Sequence, residues 1–124
     1  MVVGLGIDIV ELDRVESALA RWGGRFVEKL MDVEEAQGLP AAPAERARAL
    51  AIAVGAKEAA SKAIGTGWSR GVRWRDVVVR REPPGVELRA AALDWARRLG
   101  SRGEGSLRFE FRGNLLVAEF RLVS

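Results

Sequence analysis

This chain of 124 residues contains no cysteine and no histidine. Without cysteine it cannot form disulfide bonds or thiolate metal sites. Without histidine it has no imidazole metal ligand, no Ser-His-Asp triad and no side chain with the usual general-base pKa near neutrality. Any bound metal must therefore take oxygen ligands, which favours Mg²⁺, Ca²⁺ or Mn²⁺ over Zn²⁺.

Long apolar runs are also missing from the sequence. No stretch approaches the roughly 18 residues that a membrane span needs, and the N-terminus does not have the pattern of a signal peptide. We therefore expect a cytoplasmic protein with no membrane partner. Its length, with 48% hydrophobic and 30% charged residues, predicts one globular domain over residues 1–124. A core of this size would gain from oligomerisation.

The net charge of +3 reflects an excess of arginine. A mildly basic surface attracts acidic partners, including acidic proteins and nucleotides, although solvated arginines would give the same composition. A nucleic-acid-binding module is a third-ranked hypothesis, because no basic cluster alternates with exposed aromatic residues. We expect no nucleic acid partner.

Hydrophobic spacing predicts an α+β fold in which a long central helix packs on a small, mostly antiparallel sheet. The long helix is alanine-rich, with Gly55 at mid-length, which favours close packing against a neighbour. The predicted strands are residues 2–10, 72–81, 86–89, 107–111 and 115–123. The predicted helices are residues 11–22, 33–38, 44–64 and 90–99, with a further helical turn at 26–30 and a turn at 83–85.

Two acidic residues stand out as candidates for chemistry. Asp8 lies inside an apolar strand, so its carboxylate must be paired, metal-bound or exposed at the strand end. A pair with Arg14 is the structural alternative. Glu58 and Lys62 share one helix face at i, i+4 beside Lys57. That spacing fits an ordinary surface ion pair as well as a metal ligand beside a phosphate-binding lysine.

Gly65-Thr66-Gly67 ends the long helix directly after these residues. Glycines here could let the backbone approach a ligand, or they could form a plain C-cap. The helix dipole is unfavourable for an anion at a C-terminus, so Lys62 would have to supply the positive charge.

Two separated motifs resemble the holo-(acyl-carrier-protein) synthases, the small phosphopantetheinyl transferases. The first is Gly4-Leu-Gly-Ile-Asp-Ile-Val-Glu-Leu-Asp-Arg14, and the second is Ala56-Lys-Glu-Ala-Ala-Ser-Lys-Ala-Ile-Gly-Thr-Gly67. Val72-Arg-Trp-Arg-Asp-Val-Val is similar to the segment that usually follows. The order and interval of these motifs extend the resemblance over nearly the whole chain.

The resemblance implies transfer of the 4′-phosphopantetheine arm of coenzyme A onto a serine of acyl carrier protein by a homotrimer. It implies that Asp8 and Glu58 bind Mg²⁺ and that Lys62, with Gly65 and Thr66, contacts the coenzyme A pyrophosphate. Glu34 or Glu35 would activate the serine. On the first helix, Arg14 and Arg21, with Arg25 beyond them, would face the acidic carrier protein.

The chain departs from the family pattern at two places. The arginine that usually precedes the second motif is Ala53, and the usual Ser-x-Ser-His strand reads Arg108-Phe109-Glu110-Phe111. Arg48, Arg108 or Arg112 could substitute for the lost phosphate contacts. The alternative hypothesis is a non-catalytic family member that binds an acyl carrier protein or a homologous subunit.

Overall fold

The computed structural model describes residues 1–124 and has an α+β fold. In chain order the elements are β1 (Val2–Glu11), α1 (Leu12–Trp22), α2 (Gly24–Leu30), α3 (Val33–Gln37), α4 (Pro43–Ala63), β2 (Val77–Arg81), β3 (Pro84–Leu88), α5 (Ala90–Arg98), β4 (Gly105–Arg112) and β5 (Leu115–Val123). One 3-10 turn, Trp74–Asp76, precedes β2. None of the helices is both long enough and apolar enough to cross a membrane.

The strands form two antiparallel sheets rather than the single sheet that the sequence predicted. One has the order β1-β5-β4, and the other is the β2–β3 hairpin. The expected strand at 72–81 begins only at Val77, because the Asp76 side chain accepts hydrogen bonds from the backbone and side chain of Arg73 and closes a 3-10 turn. The expected turn at 83–85 is shorter, since β3 already starts at Pro84.

The long helix α4 forms the centre of the fold, as predicted. It starts with a proline in its first turn, where the missing N–H costs nothing. Its alanines are buried against the three-stranded sheet on one side and against β2 and α1 on others. Gly55 lies in close contact with the sheet, since a Cβ at this position would lie 2.6 Å from Leu116 Cδ1 and would force the Leu116 side chain to shift. The close packing predicted from this glycine is therefore confirmed.

The three-stranded sheet has two different faces because side chains alternate along each strand. Its inner face carries Leu116, Phe120 and Leu122, all fully buried against α4. Its outer face carries three large apolar side chains of β1: Leu5, Ile7 and Ile9 are 53%, 49% and 59% exposed. In the register of the sheet, Ile9 lies beside Val117 of β5.

Candidate functional site

The candidate site forms where β1 crosses α4, and two glycines make this crossing possible. A Cβ at Gly6 would lie 1.7 Å from the carbonyl oxygen of Ala59, and one at Gly4 would lie 2.1 Å from that of Ala63. Real Cβ atoms cannot approach backbone so closely, so only glycine fits at either position. Asp8, on the same face of β1, therefore lies beside the second motif on α4.

At the crossing, Lys62 pairs with Asp8. Lys62 Nζ donates to Asp8 Oδ1 at 3.0 Å and to the carbonyl oxygen of Ile7 at 3.1 Å. The ion pair is partly open to solvent, with the Lys62 and Asp8 side chains 51% and 18% exposed. The two ion pairs that the sequence offered as alternatives, Asp8–Arg14 and Glu58–Lys62, are not formed. Arg14 pairs with Glu11 instead, and Lys62 pairs with Asp8.

Glu58 lies one helical turn before Lys62 and is half-buried. No side-chain hydrogen bond or ion pair engages its carboxylate. Asp8 and Glu58 thus offer hard oxygen ligands on neighbouring elements, which is the donor chemistry that Mg²⁺ prefers. The structure has no cluster of three or more metal-ligating side chains. A magnesium ion here would therefore rest on these two carboxylates and take its other ligands from phosphate oxygens and water.

The loop after α4 has the geometry of a helix C-cap. Gly65 and Gly67 have φ of 81° and 56°, where glycine is favoured. The backbone N–H groups of Gly65, Thr66 and Gly67 already donate to carbonyl oxygens of α4. The Thr66 hydroxyl donates to the carbonyl oxygen of Gly67 at 2.9 Å. A contact of Gly65 or Thr66 with coenzyme A stays a prediction, and Lys62 is the cation nearest to them on α4.

The two candidate bases on α3 differ in their surroundings. Glu34 is exposed and makes no side-chain bond. Glu35 has a side chain only 3% exposed, and its carboxylate accepts from Lys57 Nζ at 3.0 Å and from the Val79 N–H at 3.0 Å. Burial lowers the pKa of Lys57, while Glu35 acts in the opposite direction. The Glu35 carboxylate is thus already committed within the protein.

The predicted partner-binding arginines surround an apolar groove of about 540 Å³ between α1, α2 and α4. Arg14 and Arg25 line it together with Lys29, and Arg21 stacks over Trp22 with its guanidinium 5.0 Å from the ring centroid. The apolar lining residues are Val10, Val15, Ala18, Trp22, Phe26, Leu30, Val54 and Trp74. The groove thus combines an apolar floor with a cationic rim.

Two lining residues of this groove were not recognised from the sequence as functional candidates. Trp22 belonged to the predicted apolar stripe of the first helix, but it is 50% exposed. Trp74 fell inside an expected strand, whereas it lies in the 3-10 turn and stacks on Trp68 with ring centroids 4.0 Å apart. The available signal was the unusual presence of tryptophan among polar neighbours, as in Arg73-Trp74-Arg75.

The positions that depart from the family pattern lie in two places. Ala53 lines a second cavity of about 390 Å³ whose wall includes Arg80, Arg81 and Arg89. At the other departure, Arg48 packs over the Phe111 ring at 3.8 Å and makes no ion pair. Arg112 instead pairs with Glu110 at 2.8 Å. Among the three suggested substitutes, Arg48 and Arg108 therefore have guanidinium groups without a carboxylate partner.

Comparison with known proteins identifies the family of the chain. Residues 4–109 match the family model of the 4′-phosphopantetheinyl transferase superfamily. The holo-[acyl-carrier-protein] synthase of Alkalilimnicola ehrlichii is 43% identical over 106 residues, which are 83% of each chain. That of Solidesulfovibrio magneticus is 41% identical over 104 residues, 82% of each. The chain therefore belongs to the 4′-phosphopantetheinyl transferase superfamily and, within it, is an enzyme of the holo-(acyl-carrier-protein) synthase family.

Solved structures of the same family share the fold. The holo-[acyl-carrier-protein] synthase of Neisseria meningitidis superposes with a TM-score of 0.83 at 28% identity, covering 100% of both chains. The Bacillus anthracis synthase, solved in complex with CoA (3′,5′-ADP), has a TM-score of 0.72 at 31% identity and covers 98% of this chain and 96% of that one.

Proposed function

We propose that this enzyme transfers the 4′-phosphopantetheine arm of coenzyme A to a serine of apo acyl carrier protein in a magnesium-dependent reaction. The observation that carries the proposal is the crossing of β1 and α4. There Lys62 bonds Asp8, which is far from it in sequence, and Glu58 lies one helical turn before Lys62 on α4. The relatives that carry the name holo-[acyl-carrier-protein] synthase support the same reaction.

The proposed reaction is a substitution at phosphorus. The serine Oγ forms a bond to the β-phosphorus of coenzyme A, the bond from that phosphorus to the bridging oxygen breaks, and 3′,5′-ADP leaves. Such a transfer needs positioning and charge neutralisation more than covalent help from the protein. Magnesium held by Asp8 and Glu58 would neutralise charge on the pyrophosphate oxygens. Lys62, half exposed, can turn its ammonium from Asp8 to a phosphate oxygen.

The serine must also lose its proton. Of the two bases proposed on α3, Glu34 has the free and exposed carboxylate, whereas Glu35 is held by Lys57 and Val79. We therefore keep Glu34 as the candidate general base, acting directly or through a water molecule. Glu34→Gln should lower kcat and remove the acidic limb of the pH–rate profile, and an unchanged profile would reject this role.

We further propose that the enzyme is a homotrimer that buries the outer face of the three-stranded sheet. Leu5, Ile7 and Ile9 form an exposed apolar row there, a kind of surface that commonly marks an interface. Ile9→Arg should give a smaller species in sedimentation velocity. Leu99→Arg, just after α5, is the matched control because Leu99 is also an exposed aliphatic side chain but lies away from this face. A monomeric parent would exclude the trimer.

The carrier protein is proposed to dock on the apolar groove with its cationic rim. Arg14 and Arg25 border the groove and Arg21 stacks on Trp22 beside it, so an acidic partner would be steered there. Arg14→Glu with Arg21→Glu should weaken carrier binding severely and slow association. Arg97→Glu with Arg102→Glu gives the same charge change elsewhere. Equal losses in both double variants would mean that net charge, rather than this face, governs binding.

The direct test is incubation of the protein with coenzyme A, Mg²⁺ and an apo acyl carrier protein, followed by intact mass spectrometry of the carrier. The expected result is a mass gain equal to the phosphopantetheine arm. The gain should disappear with a chelator or with a carrier whose modified serine is alanine. Carrier binding without any mass gain would instead support the non-catalytic alternative.

A further inference from the structure

A buried ion pair that the proposed chemistry does not use joins α4 to α3. Lys57 Nζ donates to Glu35 Oε1 and to the carbonyl oxygen of Trp74, both at 3.0 Å, and to the carbonyl oxygen of Val77. The Lys57 and Glu35 side chains are 0% and 3% exposed. Each of the three ammonium protons therefore has an acceptor, as a buried lysine requires.

The pair completes the open edge of β2. Because β2 pairs only with β3, its other edge has backbone groups without a strand partner. On that edge, the Val77 carbonyl accepts from Lys57, and the Val79 N–H donates to Glu35 Oε2 at 3.0 Å. Two side chains thus replace a neighbouring strand and satisfy backbone groups that would be costly to bury alone.

The same pair fixes the turn that carries Trp74. The Trp74 carbonyl is bonded to Lys57, and the next residue, Arg75, donates to the carbonyl oxygen of Glu28 in α2 at 3.1 Å. The Trp74 ring stacks on Trp68 at an interplanar angle of 20° and lines the groove proposed for the carrier. The position and orientation of the Trp74 indole thus depend on a backbone segment that the buried Lys57 ammonium holds in place.

We propose that the Lys57–Glu35 pair is a positioning device for carrier recognition: it holds the Trp74 backbone so that the indole forms one wall of the docking groove. This inference rests on the proposed function. Neither Lys57 nor Glu35 touches the groove, so they act only through Trp74. The partner is an acidic carrier protein with apolar side chains at its contact surface, which matches the apolar floor and cationic rim of the groove.

The kinetic test compares Lys57→Met, Glu35→Gln and Trp74→Ala in the transfer assay. In each variant the KM for apo acyl carrier protein should rise about fivefold or more, as when an aromatic anchor of an interface is lost. The KM for coenzyme A and kcat should stay within about twofold, because uniform binding of one substrate alone is affected. Arg97→Met, at an exposed position on α5, is the control and should change none of the three.

A spectroscopic test measures the position of Trp74 without any partner. Stacked indoles give an exciton couplet in far-ultraviolet circular dichroism, and the Trp68–Trp74 pair should give one in the parent. Lys57→Met should weaken this couplet while cooperative unfolding is retained. Trp95→Phe should leave it intact, because Trp95 is not stacked on another indole. A couplet of unchanged strength in Lys57→Met and Glu35→Gln would overturn the proposal.

Each failure has its own signature. If Lys57→Met does not fold, Glu35→Gln and Trp74→Ala decide, and an unchanged carrier KM in Trp74→Ala would overturn the inference. Equal losses in kcat/KM for both substrates would also overturn it. If the parent transfers no phosphopantetheine, the proposed function fails. Calorimetric affinity for the carrier in parent and variants would then test the positioning role independently.

Discussion

Lys57 and Lys62 stand on the same helix, α4, and hold opposite kinds of ion pair. Lys57 is fully buried and makes three hydrogen bonds that join α4 to α3, the 3-10 turn and β2. Lys62 is half exposed and bonds only Asp8 and one carbonyl oxygen of β1. The first cation has no room to change partners, whereas the second can exchange its carboxylate for a phosphate.

The two lysines of the second motif therefore have different roles: Lys57 stabilises the fold, and Lys62 is available to bind substrate. A buried charge is costly to leave unpaired, so losing either Lys57 or Glu35 should destabilise the fold. A partly exposed pair such as Lys62–Asp8 contributes less to stability and can be rearranged when substrate binds. A lysine in the second motif is therefore no evidence of catalysis until its burial and partners are known.

Stability should separate the two lysines most strongly. Lys57→Met should lower the free energy of unfolding by about 3–5 kcal/mol, because it leaves the Glu35 carboxylate buried without a counter-charge. Lys62→Met should cost about 1 kcal/mol, since the lysine end of its pair is open to solvent. Urea denaturation of both variants measures the contrast. Equal losses would show that the Lys57 site relaxes or admits water.

For transfer activity we expect the opposite: the large effect should come from the carboxylates of the partly exposed site. Glu58→Gln and Asp8→Asn should each lower phosphopantetheine transfer by at least about 100-fold, since a magnesium ion contributes several kcal/mol to such reactions. Both variants should keep the parent's unfolding free energy within about 1 kcal/mol. Glu45→Gln, also on α4 but exposed and unpaired, is the control. Transfer at the parent rate in both variants would contradict the metal-site assignment.

Sequence reasoning found the candidate site because its residues lie in short local motifs. The glycine alternation before Asp8 and the helical spacing of Glu58 and Lys62 are readable without a fold. The two motifs meet because Gly4 and Gly6 allow β1 to contact α4 closely, a long-range contact that spacing does not show. The resemblance implied only that Asp8 and Glu58 bind Mg²⁺.

The role of Lys57 could not be predicted in the same way. The helix α4 is buried on several sides, so its apolar pattern does not indicate which lysine faces solvent. Glu35 likewise reads as an ordinary acid in a capped helix, and its partners on α4 and β2 are distant in sequence. The start of β2 was predicted too early for a related reason. Val72 and Trp74 continue the apolar pattern of β2 although Asp76 closes a turn between them and the strand.

The second cavity allows a test of coenzyme A affinity. Ala53 stands where the family resemblance of the second motif implies an arginine, and it lies on the Lys57 side of α4 beside a cavity of about 390 Å³. Ala53→Arg should tighten coenzyme A binding by roughly tenfold to over a hundredfold if it restores one charged phosphate contact. Ala53→Leu fills the same space without charge. Calorimetry showing no gain from arginine would mean that another residue already makes this contact.

The smallest expected effect concerns Glu87, at the exposed end of the charge network around the buried pair. Arg89 joins Asp32, which caps α3, to Glu87 on β3, and Arg80 pairs with the same carboxylate. Hydrogen bonds from Arg89 and Arg80 lower the pKa of Glu87 from its ordinary value of 4.5.

Because this pKa is lower in the folded state, the unfolded chain holds more protons between the two values, and stability falls as the pH drops there. The contribution should be complete above pH 4.5 and lost as the pH falls through the folded-state pKa. Glu87→Gln should remove this acid-dependent part and cost no more than about 1 kcal/mol near neutrality, since the pair is exposed. Glu104→Gln, exposed and unpaired, is the control. Parallel pH–stability curves for parent and Glu87→Gln, measured by urea denaturation, would show that solvent already screens these charges.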